Sequence, residues 1–223
     1  MRIREYADRD MLAIDLANML AGELETHLLN HETAALAVPG GTTPGPIFDA
    51  LCSVPLDWDR VAVLPTDERW VPPDHPRSNG ALIRSRLLVN RAARARLVPL
   101  YARTATPEDA LETLAAEIAP LLPLSVLVLG MGADMHTASL FPGAEGLSAA
   151  LAPDAPILSV LRPASQPEPR VSLSAPVLDG AMSKHLVIFG AEKRAALERA
   201  VTRDPEEAPV RAVLTDITVH WAQ

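Results

Sequence analysis

The strongest constraint on this chain is an alternation. Short runs of branched or small apolar residues stand at 34–38 (AALAV), 61–64 (VAVL), 125–129 (SVLVL) and 185–189 (HLVIF), with helical patterns between them. Runs of this length suit strands buried on both faces. Parallel strands need crossovers, and helices supply them. The pattern predicts an α/β protein: a three-layer, Rossmann-like fold with a mainly parallel sheet and helices on both faces. Further strands are expected at 97–100 and 157–161. The alternating tail at 217–221 is expected to close a sheet edge.

Helices are predicted over 11–29, 44–51, 79–88, 107–122 and 191–201. The first carries Leu12, Leu16, Leu20, Leu24 and Leu28 on one face, with Met19 beside them. The second begins near Pro44. The fourth has Glu108 and Asp109 in its first turn, where they complement the helix dipole. Residues 153–169 form an irregular, proline-bearing region, read as a loop within one domain. There is no Gly/Ser linker, repeat or low-complexity tract, so 1–223 is read as a single domain.

Composition narrows the function classes. Hydrophobic residues make up 48% of the 223, enough for a sizeable core. No apolar run approaches the roughly 20 residues that span a bilayer, so no membrane association is expected. The first ten residues carry charges of both signs and no apolar stretch, unlike a secretory signal. Cys52 has no partner for an internal disulfide and reads as a small buried side chain in a reducing cytoplasm. The formal charge of −8 disfavours nucleic acid as a partner. It leaves room for a small phosphorylated ligand held by local cations and backbone N–H groups. Lys184 and Lys193 are the two lysines; every other basic side chain is arginine.

Four predicted strands run directly into unusual polar sequence. They lead to Gly40-Gly41-Thr42-Thr43, to Asp67-Glu68-Arg69, to Gly130-Met131-Gly132-Ala133-Asp134-Met135-His136, and to Gly190-Ala191-Glu192-Lys193. In a parallel sheet these ends share one edge, the usual place for a ligand. Gly40 to Thr43 offers N–H groups and two hydroxyls at a helix start, which suits a phosphate; an ordinary strand-to-helix turn is the other reading. Asp67, Glu68 and Arg69 read either as a solvated ion-paired loop or as part of the site. His136, with Asp134 two residues before it and a helix predicted to follow, reads as a general base or as a satisfied structural histidine. Asp134 can alternatively cap that helix.

The remaining histidines carry less. His27 and His31 are four apart at a helix end, without a third ligand. His75 sits in a proline-rich loop at a possible pocket mouth. His185 and His220 lie in strands, with packing or surface roles. Several chemistries lack their motifs. Met135 stands where the third glycine of GxGxxG belongs, and there is no GxxxxGK[ST], HExxH, paired CxxC or GxSxG. No metal and no cofactor are expected, and direct attack by water is favoured.

The segments PGGTTP (39–44), TDERWVPPDHPRSN (66–79), LGMGADMHTASLFPG (129–143), RVSLS (170–174) and GAEKR (190–194) together resemble the family of 6-phosphogluconolactonases and glucosamine-6-phosphate deaminases. The likeness spans nearly the whole chain. The run after His136, Thr-Ala-Ser-Leu-Phe-Pro, resembles the lactonase branch. The glutamate that the deaminase pattern carries there is missing, with Phe141 and Pro142 in its neighbourhood. Both branches usually place glycine before the histidine, where this chain has Met135. A left-handed backbone at that position would be strained by methionine.

The resemblance implies hydrolysis of 6-phospho-D-glucono-1,5-lactone by water activated at His136. Arg69 or backbone N–H groups would stabilise the oxyanion, and Asp67 would either orient His136 or hold sugar hydroxyls. Gly40, Gly41, Thr42, Thr43, Arg170 and Lys193 would meet the phosphate, with Glu68 and Asp134 grouped among the substrate-binding residues. The implied partner is a small phosphosugar lactone, and the implied state a monomer or weak homodimer in the cytoplasm. A deaminase-like isomerase and a non-catalytic sugar-phosphate sensor are the alternatives. Such a sensor usually carries a helix-turn-helix domain, for which no room is expected before the first strand.

Overall fold

The computed structural model describes residues 1–223 and is built on a seven-stranded parallel sheet. Its strands are β1 (Arg2–Glu5), β2 (Ala34–Val38), β3 (Val61–Pro65), β5 (Arg96–Leu97), β6 (Val126–Gly130), β9 (Ser183–Phe189) and β10 (Thr218–Ala222). They lie in the order β1-β10-β9-β6-β2-β3-β5, every ladder parallel. A second, antiparallel sheet joins β4 (Asp67–Arg69), β8 (Arg170–Leu173) and β7 (Leu158–Leu161) in that order.

The side-chain period of two splits each central strand between two apolar layers. Ala34, Leu36 and Val38 of β2 face one layer, and Ala35 and Ala37 face the other. The first layer is covered by α1 (Arg9–Leu28), α2 (Gly45–Leu51) and the π turn Ile83–Leu87 that continues α3 (Asn79–Leu82). The second is covered by α4 (Leu111–Ile118), α5 (Leu147–Leu151), α6 (Ala175–Asp179), α7 (Gly190–Ala200) and the small sheet. All five leucines of the predicted α1 stripe are buried, each contributing about 1.5–3 kcal/mol relative to exposure. Asp8 caps that helix, accepting the Met11 N–H at 2.8 Å. No helix is long and apolar enough to cross a membrane.

The sheet differs from the expectation at both ends of the chain. The tail strand is not an edge: β10 lies between β9 and β1. The edge is β1, whose four residues are all exposed, so its charged sequence gave no apolar signal. The strand expected at 97–100 pairs only at Arg96–Leu97, although Val98 and Leu100 are buried. No helix follows His136. The chain instead returns through a tight turn bridged between Thr137 and Leu140, and the next helix starts at Leu147.

A directional hydrogen-bond chain ties α1 to β9, β10 and the segment after β1. An ionised Glu23 accepts only, so His185 donates Nε2–H to it at 2.8 Å. His185 Nδ1 then accepts Nε2–H of His220 at 3.1 Å, and His220 Nδ1 accepts the Tyr6 hydroxyl at 2.9 Å. The Ser183 hydroxyl also donates to Glu23, at 2.7 Å. His185 and His220 are thus core residues with every ring nitrogen paired.

Candidate active site

The C-terminal ends of β2, β3, β6 and β9 open into one cavity of about 340 Å³, at the edge where a parallel sheet binds ligands. After β6 the chain turns sharply. Thr137 donates its hydroxyl to the Gly130 carbonyl at 2.9 Å, and Gly132 N–H to the His136 carbonyl at 3.0 Å. A Cβ on Gly132 would sit 2.3 Å from both Asp134 Oδ1 and His136 Nδ1, so this position must be glycine for those two side chains to meet above it. They meet at 2.5 Å, Nδ1 to Oδ1.

This contact decides the tautomer. The His136 hydrogen bond, ahead of the opposing effect of burial, holds Asp134 below the usual carboxylate range. An ionised Asp134 accepts, so Nδ1 carries the proton and a neutral His136 keeps its Nε2 lone pair free. His136 is part-buried and lines the cavity. Asp134 also accepts the His136 backbone N–H at 3.3 Å, the bond expected of a helix cap, but it closes a turn here because no helix follows. Met135, between them, has φ 67°, the left-handed conformation that methionine strains to adopt. Its carbonyl accepts the Val210 N–H at 3.1 Å, and its side chain packs against the core.

The segment after β3 supplies the second wall. Asp67 is buried and accepts the Ser139 hydroxyl at 2.5 Å and the Thr66 hydroxyl at 3.2 Å, with Arg170 Nη1 at 3.8 Å. Its carboxylate is engaged by these groups rather than by His136, and the orienting acid is Asp134. Arg69 donates to the Arg77 carbonyl at 2.7 Å and to Asn79 Oδ1 at 3.0 Å. Arg170, 3% exposed, donates to Gln166 Oε1 at 2.6 Å. Burial pushes its pKa down, and the Asp67 carboxylate opposes that shift. The Nε of Arg69 and of Arg170 are buried and lack a partner, although both residues line the cavity.

Glu68 corrects a sequence expectation. It is 2% exposed and turned away from the cavity. Its carboxylate accepts the backbone N–H of Arg69 at 2.8 Å and those of Asn79 and Gly80 at 2.7 Å each, with the Ser78 hydroxyl at 3.0 Å. It pins the loop carrying Asn79 instead of touching a ligand. Asp134 likewise acts on the histidine and is not among the cavity-lining residues. His75 does not line the cavity; its Nδ1 accepts the Arg77 N–H at 3.1 Å and shapes the loop.

The third wall is the turn after β2. Gly40, Gly41, Thr42 and Thr43 line the cavity just before α2. A Cβ on Gly40 would fall 1.9 Å from Asn79 Oδ1, so the absence of a side chain lets this turn pack on the Arg69–Asn79 pair. Lys193 reaches in from the first turn of α7 and forms no hydrogen bond or ion pair within the protein. It stands as a free cation beside exposed turn N–H groups and hydroxyls, a combination suited to a phosphate.

Nine residues named from the sequence therefore line one cavity: Gly40, Gly41, Thr42, Thr43, Asp67, Arg69, His136, Arg170 and Lys193. Arg170 pairs across the small sheet with Arg69, placing it with Asp67 and Phe141. Asn79, Phe141 and Gln166 are lining residues that sequence reasoning did not single out. The first two lie inside motifs already recognised, whereas Gln166 sits in the irregular 153–169 region with no local signal.

Relatives of known name match nearly the whole chain. A 6-phosphogluconolactonase of Mesorhizobium japonicum is 43% identical over 97% of this chain and 93% of its own length. Another, of Pseudomonas aeruginosa, is 43% identical over 92% of this chain and 88% of its own. The crystal structure of a 6-phosphogluconolactonase from Shewanella baltica superposes with a TM-score of 0.96 at 31% identity, covering 100% of this chain and 98% of that one. The family model described as glucosamine-6-phosphate isomerases/6-phosphogluconolactonase matches residues 7–221. With fold, strand-end site and relatives in agreement, the chain belongs to the glucosamine-6-phosphate isomerase/6-phosphogluconolactonase family.

Proposed function

We propose that this protein is an ester hydrolase that opens 6-phospho-D-glucono-1,5-lactone to 6-phosphogluconate, a step of the oxidative pentose phosphate pathway, acting as one domain over residues 1–223. The observation that carries the mechanism is the Asp134–His136 pair, which leaves Nε2 as a proton acceptor in a cavity with a free lysine and a glycine-threonine turn. The named relatives support the reaction.

In this reading water attacks the lactone C1 carbonyl while His136 Nε2 takes its proton. Asp134 stabilises the imidazolium that forms. The carbonyl oxygen becomes an oxyanion, which the cavity-lining guanidinium of Arg69 stabilises by its charge. The bond from C1 to the ring oxygen then breaks, and the imidazolium returns its proton to that oxygen. Asp67, fixed by Ser139 and Thr66, holds sugar hydroxyls. Gly41, Thr42, Thr43 and Lys193 hold the phosphate, and Arg170 adds positive charge beside Asp67.

The test is a lactonase assay on purified protein, coupled to 6-phosphogluconate oxidation and corrected for spontaneous ring opening. Turnover well above the uncatalysed rate is expected, and its absence, or ammonia release from glucosamine 6-phosphate, would overturn the reading. His136→Ala is expected to lower kcat by roughly 10² to 10⁴; near-normal turnover would remove it as the base. Lys193→Ala is expected to raise KM for the phosphorylated lactone far more than for unphosphorylated gluconolactone. Equal effects on both substrates would exclude a phosphate contact.

A further inference from the structure

Asp134 fixes one atom of the His136 imidazole, but a single hydrogen bond leaves the ring free to tilt about it. A second neighbour removes that freedom. Phe141, 7% exposed, stacks on the imidazole with ring centroids 4.1 Å apart and planes 23° apart. The same phenyl ring carries the Arg170 guanidinium 5.8 Å from its centroid.

The backbone between the two rings is shaped to make this contact. Thr137 and Leu140 are fully buried and bridge each other, with Leu140 N–H donating to the Thr137 carbonyl at 2.9 Å. Ala138, at the tip, has φ 48°. That turn carries residue 141 back against residue 136. Gly132, lacking a side chain, lies beside Nδ1. The imidazole is therefore bounded by a carboxylate at one edge and an aromatic face on its plane.

We propose that Phe141 is a positioning residue: its flat, core-backed face sets the plane of the His136 ring and hence the direction in which Nε2 meets water. The inference rests on the reading of His136 as the base. Its value is geometric, because misplacement of a reacting group by about 1 Å costs on the order of 10²-fold in rate.

Three substitutions at this position separate flatness from bulk. Phe141→Tyr keeps the aromatic face. Phe141→Leu keeps apolar character without it, and Phe141→Met, which fills irregular space flexibly, serves as the second such variant should the leucine protein fail to fold. Lactone hydrolysis, thermal unfolding and the low-field proton resonance of the Nδ1–H held by Asp134 are measured on each. Tyrosine is expected to keep kcat within about threefold and to keep the resonance. Leucine or methionine is expected to lower kcat roughly 10- to 100-fold, with KM changed by less than about threefold and the resonance broadened or shifted, at temperatures where the variants remain folded.

Wild-type kcat in the leucine or methionine variant overturns the proposal. So does an equal loss in tyrosine and leucine variants that tracks their melting temperatures. His136→Ala, assayed in parallel, distinguishes the two levels. Full activity there fails the base assignment itself, whereas an inactive His136→Ala beside a fully active Phe141→Leu defeats the positioning role alone.

Discussion

Met135 carries a backbone conformation chosen for its neighbours rather than for itself. A left-handed residue other than glycine costs about 1–2 kcal/mol, and at Met135 the half-buried side chain and the Val210 N–H offset that cost. Replacement by alanine keeps the strain and discards the packing. Replacement by glycine discards the packing but relieves the strain, against a chain-entropy cost of about 0.5–1 kcal/mol. Met135→Gly is therefore expected to be the more stable of the two, by about 1 kcal/mol in urea denaturation, reversing the usual order of alanine and glycine. An alanine variant as stable as the glycine one would show that this turn is unstrained. The strain was legible in the sequence because a motif position that needs φ > 0 held methionine. Glu68 was not legible. A charged triplet after a buried strand gives no sign of which acid turns inward, and apart from the neighbouring Arg69 N–H the partners of Glu68 are the Ser78 hydroxyl and the Asn79 and Gly80 N–H groups, ten to twelve positions away.

At the scale of elements, Glu68 joins β4 to the start of α3. Burial pushes its carboxyl pKa up, against the pull of the Gly80, Asn79 and Arg69 N–H groups and the Ser78 hydroxyl. Glu68→Gln would replace one acceptor oxygen by an NH₂ facing other donors, at a cost of about 2–4 kcal/mol for the groups left unpaired. The expected outcome is a destabilisation of that size in denaturant melts, with KM raised because Asn79 no longer braces Arg69. An unchanged midpoint would place the carboxylate outside the framework. The buried central strands were legible because both faces are apolar. The small sheet was harder to see: β4 is three residues of charge, and β8 opens on an arginine that sits beside Asp67, about a hundred positions away in sequence, and bonds Gln166, four residues before it in the irregular loop. The edge strand β1 was invisible for the opposite reason, since nothing about it is buried.

Across the whole molecule, the Tyr6–His220–His185–Glu23 chain ties stability to pH. Burial, followed by the charges of His185 and Arg4, lowers the His220 pKa from 6.5 to about 3. Burial pushes Glu23 up, but the hydrogen bond and charge of His185 and the Ser183 hydroxyl outweigh it and hold the carboxyl below its ordinary value. The unfolded chain therefore binds more protons than the folded one as pH falls from about 6.5 toward 3, so stability present above that window is lost through it. His220 alone accounts for up to a few kcal/mol of this loss. Denaturation midpoints between pH 7 and pH 4 are expected to fall more steeply for the wild type than for His220→Gln; parallel slopes would remove His220 as the cause.

The sheet order has a topological consequence as well. β1 and β10 are parallel neighbours whose pairing runs from Arg2↔Thr218 to Glu5↔Trp221. Residue 1 therefore lies about six residues of strand, roughly 20 Å, from residue 223. A short flexible linker spans that distance along the exposed edge strand β1. Joined there and reopened at the exposed 103–106 turn, a circular permutant would keep every strand neighbour and every wall of the cavity in place.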